Sequence, residues 1–154
     1  MLLSKGCLVN IVVETQIEKN FRDIFSHFDE KLFKKLKPPF VKLQVERFDG
    51  CKAGDEVHLK ISALPFKTDR WVSHIVESRH SDDEIYFIDI GAIIPFPLKS
   101  WKHTHRIVRI NESRSLVIDD IEFTSGNIQI DKILYPFFLA MFKFRRPVYK
   151  RELE

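Results

Sequence analysis

A chain of 154 residues, 44% hydrophobic and 31% charged, has the balance of a globular domain large enough to bury a substantial core. A formal net charge of only +3, with no dense Lys/Arg run, argues against nucleic acid as a partner. No apolar stretch reaches the roughly 18 residues of a membrane span, and Cys7 and Cys51 alone make no disulfide framework, so a reducing, cytoplasmic setting is expected.

The opening MLLSKGCLVNIVV is interrupted by Asn10 and lacks the charged start and small-residue cleavage site of a secretory signal. Leu8 to Glu14 is apolar and β-branched, which predicts a strand. Asn20 before Phe21, with Asp23 after it, has the pattern of a capped helix start, and Phe21, Ile24, Phe25 and Phe28 follow at helical spacing. A second short helix is expected from Asp29 to Leu36, with Leu32, Phe33 and Leu36 on one side. Pro38 and Pro39 stop it.

From residue 41 to 123 the hydrophobic period becomes two. Val57, Leu59 and Ile61 alternate with His58 and Lys60, and Trp71, Ser73 and Ile75 alternate with Val72 and His74. Further strands are expected over Ile85 to Ile90, Trp101 to Ile110 and Ser115 to Phe123. Turn signals separate them at Asp49-Gly50, Pro65, Ser81-Asp82-Asp83, Pro95 with Pro97, and Asn111-Glu112-Ser113. Successive strands joined by short turns make an antiparallel sheet. After Gly126-Asn127 the pattern turns helical. Ile130, Ile133, Leu134, Phe137, Met141, Phe144 and Val148 form a stripe, with Phe138 and Phe142 widening it. Pro136 is expected to kink this helix or mark a late start. Lys143, Arg145, Arg146, Lys150 and Arg151 complement the dipole at its end.

The fold class is therefore α+β. One domain spans residues 1–154, with a curved antiparallel sheet of six to seven strands, two short helices and a long C-terminal helix across the concave face. Bulky side chains between such layers hold them apart and leave a cavity.

Several short motifs occur in order along the chain: KPPF at 37–40, RW at 70–71, Phe87-x-Asp89, WKHTH at 101–105, Asp119-x-Ile121-x-Phe123, and FKFRRPVYK at 142–150. With them the chain resembles the START-related SRPBCC superfamily, nearest its polyketide cyclase/dehydrase and lipid transport branch, over nearly its whole length. That resemblance implies the helix-grip fold and a pocket for a small hydrophobic or amphipathic molecule, more firmly than any reaction. One departure is the link GAIIPFPLKSW, longer and more apolar than the Gly-Pro-Phe turn of that branch.

Alternate strand residues share a face. Trp101, His103, His105 and Ile107 therefore point one way, and so do Val117, Asp119, Ile121 and Phe123 on the next strand. A turn near Ile110 to Arg114 sets the antiparallel register Ile107/Val117, His105/Asp119, His103/Ile121 and Trp101/Phe123, which makes His105 the partner of Asp119. The pair fits a structural hydrogen bond, a recognition group for a guest, or acid–base chemistry of a cyclase, dehydratase or isomerase that uses His103, His105 and Asp119.

No cofactor is expected, and no tightly bound metal either, because two alternate histidines need a third convergent ligand. Asp119 is a candidate for that place, and Glu112 falls in a turn. The expected ligand-contacting set is Trp71, Ser73, Trp101, His103, His105 and Asp119 on the sheet, with Phe137, Met141 and Phe144 on the helix. Glu77 shares their strand parity but sits toward a strand end. Asp89 and Arg70 are expected to pair at the surface, while His27, His58, His74 and His80 show no convergent partners. Ser4, Ser73, Cys7 and Cys51 lack a nucleophile-elbow context, which argues against a hydrolase triad. A module that docks a protein through exposed aromatics is the remaining alternative.

Overall fold

In the computed structural model, which describes residues 8–63 and 68–154, the chain runs β1 (Val9–Ile17), α1 (Phe21–Phe25), α2 (Glu30–Lys35), β2 (Val41–Phe48), β3 (Glu56–Ala63), β4 (Asp69–His80), β5 (Glu84–Ile93), β6 (Ser100–Arg109), β7 (Ser115–Thr124) and α3 (Ile128–Leu153). Ser4, Cys7 and the Pro65 turn lie outside the described residues. The seven strands form one sheet in the order β1-β7-β6-β5-β4-β3-β2, and every neighbouring pair is antiparallel. No helix among the described residues is long and apolar enough to cross a membrane.

The two short helices start where their polar caps stand. The Asn20 side chain accepts from the Arg22 N–H and Asp29 from the Leu32 N–H, so each helix begins with an orphan donor satisfied. They bury Phe21, Ile24 and Leu32 against one end of the sheet.

Irregularities in the ladder bend the sheet. Register shifts occur between Val45 and Arg47 and, on β4, between Val72 and Ser73 and between Ile75 and Glu77. The second shift on β4 breaks the parity that would have put Glu77 beside Ser73. Glu77 is exposed and accepts from the Tyr86 hydroxyl on the outer face.

The helix α3 runs for 26 residues and neither starts nor ends at Pro136 or Pro147. Each proline removes one backbone hydrogen bond. Burial of Phe138, Phe142, Val148, Tyr149 and Leu153 offsets that loss, so tertiary packing overrides local propensity. The buried stripe is therefore rotated from the expected one, and Phe144 is 36% exposed.

Asp131 anchors the start of α3. Its carboxylate accepts from the Ser125 N–H at 2.7 Å and from the Thr124 hydroxyl at 2.9 Å. Burial pushes its pKa up, but the bonds from Ser125 and Thr124 outweigh that and hold it below the usual carboxylate value. A depressed carboxyl stabilises the fold above the unfolded value of about 4, and the contribution fades as pH falls through the lower folded value. Asp131→Asn is expected to cost about 1–2 kcal/mol at neutral pH. In urea titrations the gap from the parent should close as the pH is lowered below about 4. A gap independent of pH would mean that the charge of Asp131 plays no part.

Candidate ligand-binding site

The concave face carries two apolar clusters. In one, Ile85, Ile107 and Val117 on the sheet meet α1, α2 and the last turns of α3 through Tyr149 and Leu153. In the other, Trp101, Ile121 and Phe123 meet Phe138 and Phe142. A belt of polar residues crosses the sheet between them: Ser73 on β4, Asp89 on β5, His103 and His105 on β6, and Asp119 on β7. The helix completes the belt with Arg145, which shares one face with Phe138, Phe142 and Tyr149 by 4-3-4 spacing.

The register between β6 and β7 is the expected one, with His105 opposite Asp119 and His103 opposite Ile121. The hydrogen bonds, however, run diagonally. His103 Nε2 lies 2.9 Å from Asp119 Oδ1, and His105 Nε2 lies 2.8 Å from Asp89 Oδ2. The second ring nitrogens make the reciprocal, longer approaches: His103 Nδ1 is 3.8 Å from Asp89 Oδ2 and His105 Nδ1 is 3.9 Å from Asp119 Oδ1. Two imidazoles, with ring centroids 3.6 Å apart, thus stand between two carboxylates.

Each carboxylate is anchored from behind. Asp119 Oδ1 also accepts from Arg145 at 3.2 Å and from the Tyr149 hydroxyl at 3.3 Å. Its Oδ2 is buried and has no hydrogen-bond partner among the described residues. Asp89 Oδ1 accepts from the Ser73 hydroxyl at 3.1 Å, and Ser73 in turn accepts from Trp71 Nε1 at 3.0 Å. Phe87 stacks on the His105 ring at 4.2 Å, Phe142 meets His103 edge to face, and the Arg145 guanidinium lies over the Phe142 ring.

The protonation states follow from these contacts. Burial would raise the Asp119 carboxyl, but the Arg145 charge and the bond from His103 hold it down to about 2. Burial also works against ionisation of Asp89, but the bonds from His105 and Ser73 and the attraction of the two histidines together outweigh it and hold its pKa below the usual carboxylate value. For His105, burial and the neighbouring His103 together lower the pKa to about 4, against the opposing pull of Asp89. At neutral pH His105 is therefore a neutral imidazole that donates from Nε2 to an ionised Asp89. Burial and Asp119 push the Tyr149 phenol up, so its hydroxyl remains a donor.

In front of the belt lies a cavity of about 780 Å³. Asp89, His103, His105 and Arg145 form its polar end, and the remaining walls are largely apolar. Trp71, Ser73, Trp101, Phe137 and Met141 line it. Phe144 does not, because the helix is rotated. Asp119 stands behind the histidines rather than on the cavity wall. Asp89 corrects the expectation of a surface pair: it is buried, while Arg70 approaches His58. From the sequence alone Arg145 reads as one of the cations at the helix end, and Tyr149 carries no functional signal of its own. The signal for both was their spacing from Phe142. The apolar link supplies Pro95, Phe96, Pro97 and Leu98 to the mouth, where Phe96 is 92% exposed. Phe40 and the half-exposed Phe137 face each other there, so Phe40, Phe96 and Phe137 belong to the rim of the cavity, whereas the exposed Tyr135 and Phe144 do not.

No protein-family model matches the chain. No curated protein matches it in sequence. Solved structures do match in fold. Truncated norcoclaurine synthase from Thalictrum flavum superposes with a TM-score of 0.69 at 14% identity, covering 100% of this chain and 99% of that one. The ZhuI aromatase/cyclase from Streptomyces sp. R1128 gives 0.63 at 9% identity, covering 96% and 97%. Major latex-like protein 151 from Panax ginseng gives 0.62 at 15%, covering 94% and 99%. At such identities the likeness extends to the fold. The chain has the α+β helix-grip fold that the resemblance implied.

Proposed function

We propose that this protein binds a small amphipathic molecule, its apolar body between the sheet and α3 and its polar group against Ser73, Asp89, His103, His105 and Arg145. The cavity carries this reading: about 780 Å³ with mostly apolar walls and one polar end suits a small organic guest. The fold adds support. Thalictrum flavum norcoclaurine synthase has been solved with dopamine and hydroxybenzaldehyde, both small aromatic molecules with polar groups.

An anionic naphthalene dye is expected to bind one per chain and to change the emission of Trp71 and Trp101, which face each other at 5.1 Å. Met141→Trp, which fills the cavity from the helix side, should weaken the dye about tenfold or more by steric exclusion, and the circular dichroism should stay that of the parent. Equal affinity in both proteins would place the dye elsewhere and remove the support for the cavity.

A second reading is an enzyme of the cyclase, dehydratase or isomerase kind. It is favoured by a neutral His105 at the cavity wall beside an ionised Asp89, a pair suited to moving a proton. It is dismissed if a guest recovered from the protein in heavy water carries no deuterium.

A further inference from the structure

We propose that Asp89, His103 and His105 hold one divalent first-row transition-metal ion at the polar end of the cavity. Metal binding needed a third donor to join the two histidines, and β5 supplies it through Asp89. One donor atom from each of the three residues lies within 4.8 Å of the other two. With Asp89 Oδ2, His103 Nδ1 and His105 Nε2 as donors, the carboxylate oxygen is 3.8 Å from the first nitrogen and 2.8 Å from the second. Ligands bonded at about 2.0–2.2 Å to one ion stand about 3 Å apart, so small side-chain shifts and a move of the His105 proton from Nε2 to Nδ1 separate this arrangement from a coordinated one.

The groups behind these three donors are those a metal centre uses. A ligating imidazole characteristically donates its other ring N–H to a carboxylate, which fixes the ring and its tautomer. His103 already does this through Nε2 to Asp119 at 2.9 Å. His105 has Nδ1 3.9 Å from the same carboxylate, and the unpartnered Asp119 Oδ2 leaves that group with spare acceptor capacity. Arg145 and Tyr149 hold Asp119, and Ser73 holds the non-ligating oxygen of Asp89.

Two imidazoles and one carboxylate suit zinc, iron(II) and their neighbours rather than calcium or magnesium. Because all three donors line the cavity, the remaining coordination positions open toward the guest. An oxygen- or nitrogen-donor head group would complete the shell. The inference uses the cavity of the proposed function but not its occupant.

The test uses tag-free protein stripped with a chelator and titrated calorimetrically with zinc and with cobalt(II). One equivalent should bind, and the cobalt form should show ligand-field bands and two paramagnetically shifted imidazole N–H signals. Asp89→Asn and His105→Ala should weaken binding by at least about 100-fold, and Asp119→Asn by about 10–100-fold. His58→Ala, which alters a partly buried cluster with Glu56 away from the three donors, should change nothing. Substoichiometric uptake by the parent, or undiminished uptake in His105→Ala, overturns the proposal. Should the cavity variants not fold, fewer than two shifted imidazole signals in the parent overturns it as well. Dye binding to the stripped protein is measured alongside. A dye that binds where metal does not leaves the cavity reading standing, and metal uptake without dye binding does the reverse.

Discussion

Asp119→Asn is expected to destabilise the metal-free protein by about 3–5 kcal/mol, the scale for removing one partner of a buried ion pair. Asp119 is 1% exposed, and one of its oxygens accepts from His103, Arg145 and Tyr149. Asn keeps the shape but removes the charge that compensates Arg145, whose side chain is only 15% exposed. It also presents an amide that can meet these donors with its own N–H groups. Urea denaturation with a chelator present measures the loss. Arg145→Met is the second arm, and the double variant should lose less than the two single losses combined, because the remaining groups no longer include an isolated buried charge. Strict additivity would show that the pair is not coupled and that the guanidinium finds water once the carboxylate is gone.

The phase of α3 can be tested by two phenylalanines two residues apart. Phe142 is 3% exposed and touches Trp101, His103 and Arg145, whereas Phe144 is 36% exposed. Phe142→Ala should cost about 3–5 kcal/mol, the range for a truncated core aromatic. Phe144→Ala should cost no more than about 1 kcal/mol, as a surface change does. Thermal and urea unfolding of the two variants give the comparison. Equal losses would mean that the helix sits about a quarter-turn from the orientation described.

Why the strands could be read and the helix phase could not follows from their geometry. A strand has only two faces, so once Trp101 and Ile107 are taken as buried, His103 and His105 must join them. The turn near Asn111 then leaves little freedom for the register against β7. A helix offers a continuous range of phases, and α3 is apolar over more than one face. Ile133, Phe137 and Phe144 balance Phe138, Phe142 and Tyr149, and the first set lies nearer the mouth or the surface. The buried role of Arg145 was hidden by neighbouring cations that do face solvent: Lys143, Arg146, Lys150 and Arg151 are all exposed. The buried role of Asp89 is hidden in the sequence for a different reason. Its strand is buried at Ile85 and Phe87 as well, and the acid reaches its partners on diagonals, His105 on β6 and Ser73 on β4. Such diagonals depend on side-chain rotamers rather than on sequence spacing.

The strand order also bears on how the chain folds. Strands β4 to β7 follow one another in both sequence and sheet, so Ser73, Asp89, the two histidines and Asp119 come together through hairpins that close short loops. Strand β1 is different, because its Val9 pairs with Phe123 across most of the chain. Closing so long a loop costs more chain entropy than closing a hairpin and slows the pairing that depends on it. The polar belt can therefore assemble on the meander while both its cover and one sheet edge are still missing. In that interval its carboxylates and imidazoles are hydrated, and their desolvation falls late, when α3 brings Arg145 and Tyr149 down onto Asp119.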